Sequence, residues 1–381
     1  MNGFFAVRTF GLALVFATAH AAAADHPSPA PLPTSLAMNE DAGRGGWLLV
    51  TARLDSGREA LLALDTGSSQ TVFDKSFASN LTKLEVTAVI RGWDGNQNTT
   101  LYQMPRLELG GATLLVDGPA ATIDLTSLSA LAGRHLDGVL GMNCLHHYCL
   151  QLDFSTGQIR FLDNVSTNHP AWGKAFPLTD FSRTDARPAV AGNLAGAAAG
   201  RSIIDSGDNT EGWLRPEFYR PWTNLTASPL DAGKHAPSGK FGGESYTDLN
   251  LREAKVASDG IGLRFLSRHL VTFDFPNQTL YLKRTSDGPL PPKGVAELLA
   301  FVKELKARGE LPGWTKGDPG TFLSSRLDSP SGSGTIETQK TGDPSTYHYK
   351  VARLAPGASW KLEKAWRTDA SNRLIEEYPV K

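Results

Sequence analysis

The stretch Leu61-Leu62-Ala63-Leu64-Asp65-Thr66-Gly67-Ser68 carries the pattern that decides the fold. An apolar run that leads into Asp and then Gly indicates a buried strand ending in a sharp turn, because glycine lets another part of the backbone approach closely. Such a turn leaves the carboxylate at the tip of a loop. A second copy, Ile203-Ile204-Asp205-Ser206-Gly207, places its Asp 140 positions after the first (205 − 65). The pair predicts two carboxylate-bearing loops of the same kind.

If the two loops meet face to face, Asp65 and Asp205 form a site for acid and base chemistry. Two carboxyl groups about 3 Å apart cannot both ionise, so they share one proton. One carboxylate can then activate a water molecule while the other carboxyl group donates a proton.

The segments that follow the two loops are also related to each other. Gly141 to Phe161 and Gly262 to Leu282 align without gaps at a constant offset of 121 residues (262 − 141). Each block indicates an apolar strand ending in Gly, a short helix and a hairpin, with turns at Ser155-Thr156-Gly157 and Pro276-Asn277. A duplicated lobe that supplies one carboxylate per copy is the arrangement that a symmetric two-carboxylate site requires.

With these motifs the chain resembles the aspartic proteases, in both their two-lobed pepsin-like and their smaller retropepsin-like branches. The resemblance spans roughly residues 45 to 285 and extends to secreted aspartyl proteases of the bacterial type. Four segments carry it: Asp65-Thr66-Gly67-Ser68, Asp137-Gly138-Val139-Leu140-Gly141, Asp205-Ser206-Gly207, and the closing stretch from Gly262 to Phe275.

The resemblance implies a mostly β, two-lobed acid-protease fold that arose by internal duplication, with a substrate cleft between the lobes. It also implies hydrolysis of peptide bonds by water attack through a tetrahedral intermediate, without a cofactor. By analogy Asp65 and Asp205 are the catalytic dyad. The loop-supporting residues would be Thr66, Gly67, Ser68, Ser206 and Gly207, with Ser68 hydrogen-bonding the first carboxylate and the Thr66 and Ser206 hydroxyls holding the loops.

Two features depart from the family pattern. Asp208 follows the second Gly, where a hydroxyl or small residue is usual. A third carboxylate beside the dyad would raise the pKa of the shared proton and move an activity optimum toward neutral pH; alternatively, Asp208 faces solvent or caps the turn through a backbone N–H. The second departure is brevity, because only 76 residues separate Asp65 from Gly141 and 57 separate Asp205 from Gly262. The lobes resemble a tandem retropepsin-like unit more than a full pepsin.

Each half also contains a glycine-rich polar stretch where the family has a flap over the substrate. In the first half this is Arg91 to Asn96, where an aromatic residue near the tip, Trp93 or Tyr102, would screen the dyad from water. In the second half it is Ser238 to Gly243, with Phe241 at the tip. We expect these three aromatic residues to contact substrate; the alternative is an exposed hairpin whose glycines serve only the turn.

The amino terminus has the pattern of a cleaved secretory signal over residues 1–24, with an apolar run followed by Ala22-Ala23-Ala24. We expect cleavage near Ala24 and a secreted or periplasmic location; the apolar run is too short for a membrane span. A Pro-rich linker then covers residues 25–40. The formal net charge of −1 becomes about −2 once Arg8 is removed, which disfavours nucleic acid as a partner.

Cys144 and Cys149 flank His146 and His147, so a Cys/His metal site must be considered. Structural zinc sites usually take ligands from two separate pairs, whereas these four residues lie in one block of the repeat. We therefore expect no metal. A local disulfide and two buried thiols both remain open for the cysteines.

The predicted domains are residues 41–165 and 166–285 for the two protease lobes and 286–381 for an accessory α+β domain. In the accessory domain, apolar residues from Val295 to Leu305 recur at helical spacing, and strands are predicted at Tyr347 to Leu354, Trp360 to Trp366 and Leu374 to Tyr378.

The sequence therefore predicts a monomeric aspartic endopeptidase, a hydrolase of peptides or proteins. Two alternatives stay open. One is a non-catalytic peptide-binding module with a degenerate second lobe, and the other is a homodimeric retropepsin-like protease that uses Asp65 only.

Overall fold

The computed structural model describes residues 35–92, 95–162, 170–179, 187–198, 200–226, 238–329, 333–353 and 358–380. The predicted signal peptide and most of the Pro-rich linker lie outside these residues. The chain divides into two compact units, Met1–Leu290 and Pro291–Lys381. Within the described ranges, no helix combines the length and the apolar composition that crossing a membrane requires.

The first half of the larger unit, residues 35–162, contains short strands linked by turns. A six-residue 3-10 helix, Lys75–Asn80, packs beside them. The remaining elements are β1 (Leu36–Ala37), β2 (Leu49–Leu54), β3 (Glu59–Leu64), β4 (Val72–Asp74), β5 (Lys83–Gly92), β6 (Gly95–Tyr102), β7 (Leu107–Leu109), β8 (Ala112–Thr113), β9 (Ala120–Ile123), α1 (Thr126–Ala132), β10 (Gly138–Leu140), α2 (Met142–Leu145), β11 (Cys149–Asp153) and β12 (Gln158–Leu162).

The second half of this unit, residues 170–290, repeats the same plan in a shorter form. It begins with a 3-10 turn at Pro170–Trp172. Its other elements are β13 (Lys174–Pro177), β14 (Ala189–Ala191), β15 (Arg201–Asp205), β16 (Gly212–Leu214), α3 (Pro216–Thr226), β17 (Gly239–Phe241), β18 (Glu244–Tyr246), β19 (Arg252–Glu253), β20 (Asp259–Gly262), α4 (Leu263–Leu266), β21 (His269–Asp274) and β22 (Thr279–Arg284).

The two Asp loops leave equivalent positions in two sheets. In the first half, β3 pairs in parallel with β10 inside a sheet of order β5-β6-β9-β4-β10-β3-β2-β7-β8. In the second half, β15 pairs in parallel with β20 inside a sheet of order β14-β15-β20-β16-β19. Both β3 and β15 lie between two strands of their sheet, and the residues just before each Asp are buried, in agreement with the continuous apolar runs there.

A third sheet joins the two halves across an approximate two-fold axis. Its order is β1-β12-β11-β21-β22-β13, so the central pair β11–β21 brings one strand from each half together. Gln151 lies opposite Thr272 in this antiparallel pair, and its side-chain amide donates to the Thr272 hydroxyl at 2.9 Å. These two residues are equivalent in the repeat, being 121 positions apart. The internal duplication therefore relates the two halves in space as well as in sequence.

One hydrophobic core extends through both halves of the larger unit. Its largest buried side chains include those of five phenylalanines, Phe73, Phe77, Phe265, Phe273 and Phe275. A smaller cluster from β3, β4, β9 and β10 packs beneath the β5–β6 hairpin. The two cores fix the strands from which both Asp loops emerge.

The smaller unit consists of one helix packed on an antiparallel sheet. The helix α5 (Lys293–Arg308) buries Leu298, Val302 and Leu305 against Tyr349 and Ile336. The strands are β23 (Gly320–Ser329), β24 (Ser333–Lys340), β25 (Thr346–Ala352), β26 (Lys361–Thr368) and β27 (Leu374–Tyr378), paired in sequence order.

The prediction of a mostly β chain is confirmed, since strands make up most of the regular structure in the described residues. The predicted α5 and the last three strands are present, with ends that differ by a few residues. The boundary of the smaller unit falls at Pro291 rather than residue 286. The strands β23 and β24 were not predicted.

Candidate active site

Both aspartates sit where a strand leaves its sheet beside a glycine of the neighbouring strand. Asp65 donates its backbone N–H to the Leu140 carbonyl at 3.0 Å. Asp205 lies opposite Gly262 in the β15–β20 register. The next contacts also match, because Met142 N–H donates to the Ser68 carbonyl at 2.8 Å and Leu263 N–H donates to the Asp208 carbonyl at 2.7 Å. The duplicated sequence thus folds into duplicated loop supports.

The two loops bind each other through a reciprocal set of hydrogen bonds. The Thr66 hydroxyl donates to the Ile204 carbonyl at 2.7 Å and accepts from the Ser206 N–H at 3.0 Å. The Ser206 hydroxyl donates to the Leu64 carbonyl at 2.8 Å and accepts from the Thr66 N–H at 3.0 Å. Both hydroxyl side chains are fully buried. Because each hydroxyl satisfies two backbone groups of the other loop, the pair fixes the separation of the two aspartates.

Each carboxylate lies directly against the glycine of the opposite loop. A Cβ added at Gly67 would come within 2.4 Å of the Asp205 carboxyl carbon, and one added at Gly207 within 2.3 Å of that of Asp65. Such distances are far inside van der Waals contact, so only glycine fits at these two positions. The Asp-x-Gly motif is therefore a requirement of the paired loops and not only of a turn.

Backbone N–H groups hold each carboxylate in place. Asp65 Oδ1 accepts from Gly67 N–H at 2.7 Å and from Ser68 N–H at 3.0 Å. Asp205 Oδ1 accepts from Gly207 N–H at 2.9 Å and from Asp208 N–H at 3.1 Å. The Ser68 hydroxyl donates instead to the Gln70 carbonyl at 2.8 Å, so Ser68 bonds the first carboxylate through its backbone.

The electrostatics of the pair favour a shared proton. Burial raises the pKa of Asp65, against the opposing effect of the backbone hydrogen bonds from Gly67 and Ser68. Burial raises the pKa of Asp205 further, and the charge of Asp65 adds to this rise. Two interacting carboxyl groups titrate in two steps that belong to the pair. Between these steps the pair holds one proton, which the two carboxyl groups share.

Asp208 combines the two roles that its position suggested. Its Oδ1 caps the turn by accepting from the Thr210 N–H at 3.1 Å, and its Oδ2 forms an ion pair with Arg252 Nη2 at 3.3 Å. Its negative charge also raises the pKa of Asp65 and of Asp205. Asp208 is thus not a member of the dyad, but its charge raises the pKa of both dyad carboxyl groups.

The predicted flap of the first half is the hairpin formed by β5 and β6. Lys83 pairs with Tyr102 at its base and Gly92 with Gly95 near its tip. The aromatic candidate Trp93 lies outside the described residues. The placement of Tyr102 near the tip is wrong, because the register puts it at the opposite end of the strand, where it packs against the main core.

The placement of Phe241 at the tip of a second flap is also wrong. The turn of the β17–β18 hairpin is at Gly242 and Gly243, both with positive φ. Phe241 is only 3% exposed, stacks on Phe176 at a centroid distance of 5.0 Å and meets the edge of Phe265. It is a core residue and does not face a substrate.

A second layer of polar residues supports the two loops, and sequence reasoning missed it. In the first half, Asn143 Oδ1 accepts from the N–H and the hydroxyl of Thr71, both at 2.8 Å. The equivalent positions in the second half are Glu211 and Arg264, whose Oε1 and Nε are 3.6 Å apart. Arg268 Nη2 donates to the same Glu211 oxygen at 2.8 Å. The constant repeat offsets of 140 and 121 residues were the signal that could have found these pairs.

The two cysteines are free and buried. Burial raises the pKa of each thiol to about 12. The structure thereby decides between the two possibilities left open for these residues, in favour of buried thiols that pack in the core.

Comparison with known proteins agrees with this geometry over part of the chain. The family model described as aspartyl protease matches residues 50–144. The matched segment contains the first Asp loop, the β5–β6 hairpin and β10, whereas Asp205 and its loop lie outside it. No curated protein sequence matches the chain.

Proposed function

We propose that the protein is an aspartic endopeptidase that hydrolyses peptide bonds by activating water on the Asp65/Asp205 dyad. One observation carries the proposal: the two carboxylates meet across reciprocal hydrogen bonds between Thr66 and Ser206, each against the glycine of the opposite loop. The family match over residues 50–144 supports protease chemistry in general. The proposal adds the specific pair, the two-lobed retropepsin-like arrangement and the mechanism.

The mechanism uses one proton on the pair. The ionised carboxylate takes a proton from a water molecule held between the two side chains, and the oxygen of that water attacks the peptide carbonyl carbon. The protonated carboxyl group donates its proton to the carbonyl oxygen as the tetrahedral intermediate forms. Collapse of the intermediate breaks the C–N bond after a proton passes to the leaving nitrogen. Each Oδ1 already accepts hydrogen bonds from two backbone N–H groups. The Oδ2 atoms of the two carboxyl groups therefore serve the water and the substrate.

The geometry favours a dyad within one chain over a homodimer that uses Asp65 alone. In a homodimer, a second copy of the first loop would have to take the position that Asp205 fills here. Each of Thr66 and Ser206 already satisfies two backbone groups of the other loop. A monomer is therefore the proposed working state, with peptides or proteins as its substrates.

The first test is cleavage of a mixed peptide library by residues 25–381 between about pH 3 and pH 7. We expect new amino termini to appear in the library, identified by mass spectrometry, with an optimum where the pair holds one proton. A preparation that carries both Asp65→Asn and Asp205→Asn controls for contaminating proteases. A protein that binds library peptides without cutting any at any pH would support the non-catalytic module instead.

The Asp208 charge predicts a shift in the pH profile. Because this charge raises the pKa of both dyad carboxyl groups, Asp208→Asn should move the alkaline limb of kcat/KM to lower pH. Asn keeps an oxygen that can accept from the Thr210 N–H, so the turn should persist.

Arg252→Gln provides a control of opposite sign. This change removes the guanidinium that pairs with Asp208 at 3.3 Å, so the carboxylate field at the dyad becomes stronger and the alkaline limb should move to higher pH. Profiles for the two variants that shift in the same direction would contradict the electrostatic role of Asp208.

The location is part of the proposal. A leader over residues 1–24 that is cleaved near Ala24 would deliver the enzyme to the periplasm or the exterior. Mass measurement of the protein recovered from each cell fraction tests this directly, since an intact leader adds residues 1–24 to the observed mass.

A further inference from the structure

A cluster of one carboxylate and two imidazoles lies on the surface of the first half, outside the dyad. Asp117 Oδ2 is 3.2 Å from His146 Nε2, and Asp117 Oδ1 is 3.2 Å from His147 Nε2. One potential ligand atom from each of the three residues falls within 4.8 Å of the other two. The imidazole rings are neighbours, with centroids 3.9 Å apart.

In both rings the nitrogen nearest to Asp117 is Nε2. His146 Nδ1 lies 2.7 Å from the Met142 carbonyl, which can only accept, so Nδ1 is the donor in this contact and Nε2 is the ring nitrogen that faces Asp117. His147 Nε2 is buried and lies 3.2 Å from Asp117 Oδ1, without a well-directed hydrogen bond among the described residues. Two imidazole nitrogens beside one carboxylate are a ligand set that a divalent transition-metal cation takes, and a ligating His commonly donates its other ring N–H to a backbone carbonyl, as His146 does to Met142.

Hydrogen bonds between the two segments hold the three residues in this arrangement. Asp117 N–H donates to the Asn143 carbonyl at 2.9 Å, and the Asn143 side-chain amide donates to the Asp117 carbonyl at 2.7 Å. The Tyr148 hydroxyl accepts from the Leu115 N–H at 2.6 Å. The loop that carries Asp117 is therefore tied at both ends to the segment that carries both histidines, so the ligands need little reorganisation.

We propose that Asp117, His146 and His147 form a binding site for a divalent transition-metal cation of the Zn²⁺ class. Bonds of about 2.0–2.1 Å to a tetrahedral Zn²⁺ place neighbouring ligand atoms roughly 3.3 Å apart, close to both observed separations. Two imidazole nitrogens select against Mg²⁺ and Ca²⁺, which prefer oxygen ligands. The Asp117 side chain is 63% exposed, which leaves room for water to complete the coordination.

The site belongs to the first half alone and acts on its structure. The repeat equivalents of His146 and His147 are Ser267 and Arg268, which cannot form a similar cluster. A bound cation would join the Asp117 loop to α2, and Asn143 of that helix also accepts from Thr71 beside the first Asp loop. Its effect is to stabilise this half. The inference does not depend on protease activity.

The test measures metal binding by metal-free residues 25–381 at neutral pH. Zn²⁺ is titrated against a chromophoric chelator, and we expect one tight site that weakens at least about 100-fold in Asp117→Asn and in His147→Gln. The matched control is His135→Gln, which removes the single histidine that pairs with Asp137 at 3.6 Å and should leave the affinity unchanged. Metal binding by the amino terminus of residues 25–381 would be the same in all of these proteins, so it does not affect the comparison of their affinities.

Two further readouts keep the result decisive if a variant folds poorly. Co²⁺ added to the wild-type protein should give visible d–d bands without a thiolate charge-transfer band, because Cys144 and Cys149 are buried in the core. Zn²⁺ should also raise the melting temperature of wild type but not of Asp117→Asn. A thiolate band, or equal affinity of wild type and Asp117→Asn, overturns the proposal.

Discussion

Asp205→Asn should abolish peptide cleavage, with kcat reduced by at least about 1000-fold. Asn matches Asp in shape but can neither ionise nor donate a carboxyl proton, so the pair loses its ability to hold one exchangeable proton. The loop should persist because the carboxamide oxygen can still accept from the Gly207 and Asp208 N–H groups. Cleavage of one optimised library peptide, followed by chromatography, measures the loss.

Two companion variants are needed to interpret this result. Asp65→Asn should be equally inactive, since the mechanism requires both members of the pair. Asp287→Asn, at a fully exposed carboxylate far along the sequence, should cut like wild type. If Asp205→Asn retains activity while Asp65→Asn does not, and the active species has the mass of a dimer, then the homodimeric alternative is correct.

Asp205→Asn should also make the protein more stable at neutral pH. The folded state raises the pKa of Asp205 through burial and the charge of Asp65, so above the unfolded pKa of about 3.9 the folded state binds more protons than the unfolded chain. Stability is therefore lost as pH rises from that value through the raised pKa of the folded state. Asp205→Asn removes this loss, and its melting temperature at pH 7 should exceed that of wild type. Lower activity with higher stability is difficult to explain by misfolding.

The sequence was sufficient for the features that depend on short-range pattern. The apolar runs before Asp65 and Asp205 predicted buried strands, and the gapless repeat predicted two equivalent closing units. The structure adds a reason for the pattern, since Gly67 and Gly207 leave space for the opposite carboxylate. Roles assigned to Asp65 and Asp205 in catalysis remain predictions for the experiments above.

Features that depend on long-range packing were missed or misplaced. Phe241 resembles a flap tip because glycines surround it, yet its ring fills the core beside Phe176 and Phe265. Nothing in the sequence near His146 points to Asp117, which lies 29 positions earlier (146 − 117) and arrives through the loop after β8. The strands β23 and β24 join through a Gly/Ser/Pro segment whose composition is typical of loops. In each case contacts between distant parts of the chain, and not the local sequence pattern, determine the position of the residue or the strand.

Arg268→Met should cause a large loss of stability. The Arg268 guanidinium is fully buried and donates to Glu211 Oε1 at 2.8 Å and to the Thr247 carbonyl at 2.7 Å. Removing it leaves the 1% exposed Glu211 with Arg264 at 3.6 Å as its nearest cation. Removing one partner of a buried ion pair costs about 3–5 kcal/mol, which corresponds to a fall in melting temperature on the order of 10 °C for a unit of this size.

The pH dependence and the double variant separate this ion pair from simple loss of packing. Burial raises the pKa of Glu211 while Arg268 opposes the rise, so without Arg268 the pKa goes higher still. Stability of Arg268→Met should then fall more steeply than that of wild type as pH rises from about 4.3, the unfolded value of Glu, toward neutrality. Adding Glu211→Gln should recover part of the loss, because it removes the stranded charge. Thermal melts of the three proteins at pH 5 and pH 7.5 measure this; a double variant less stable than Arg268→Met at both values would mean that Glu211 stabilises the second loop through contacts other than its charge.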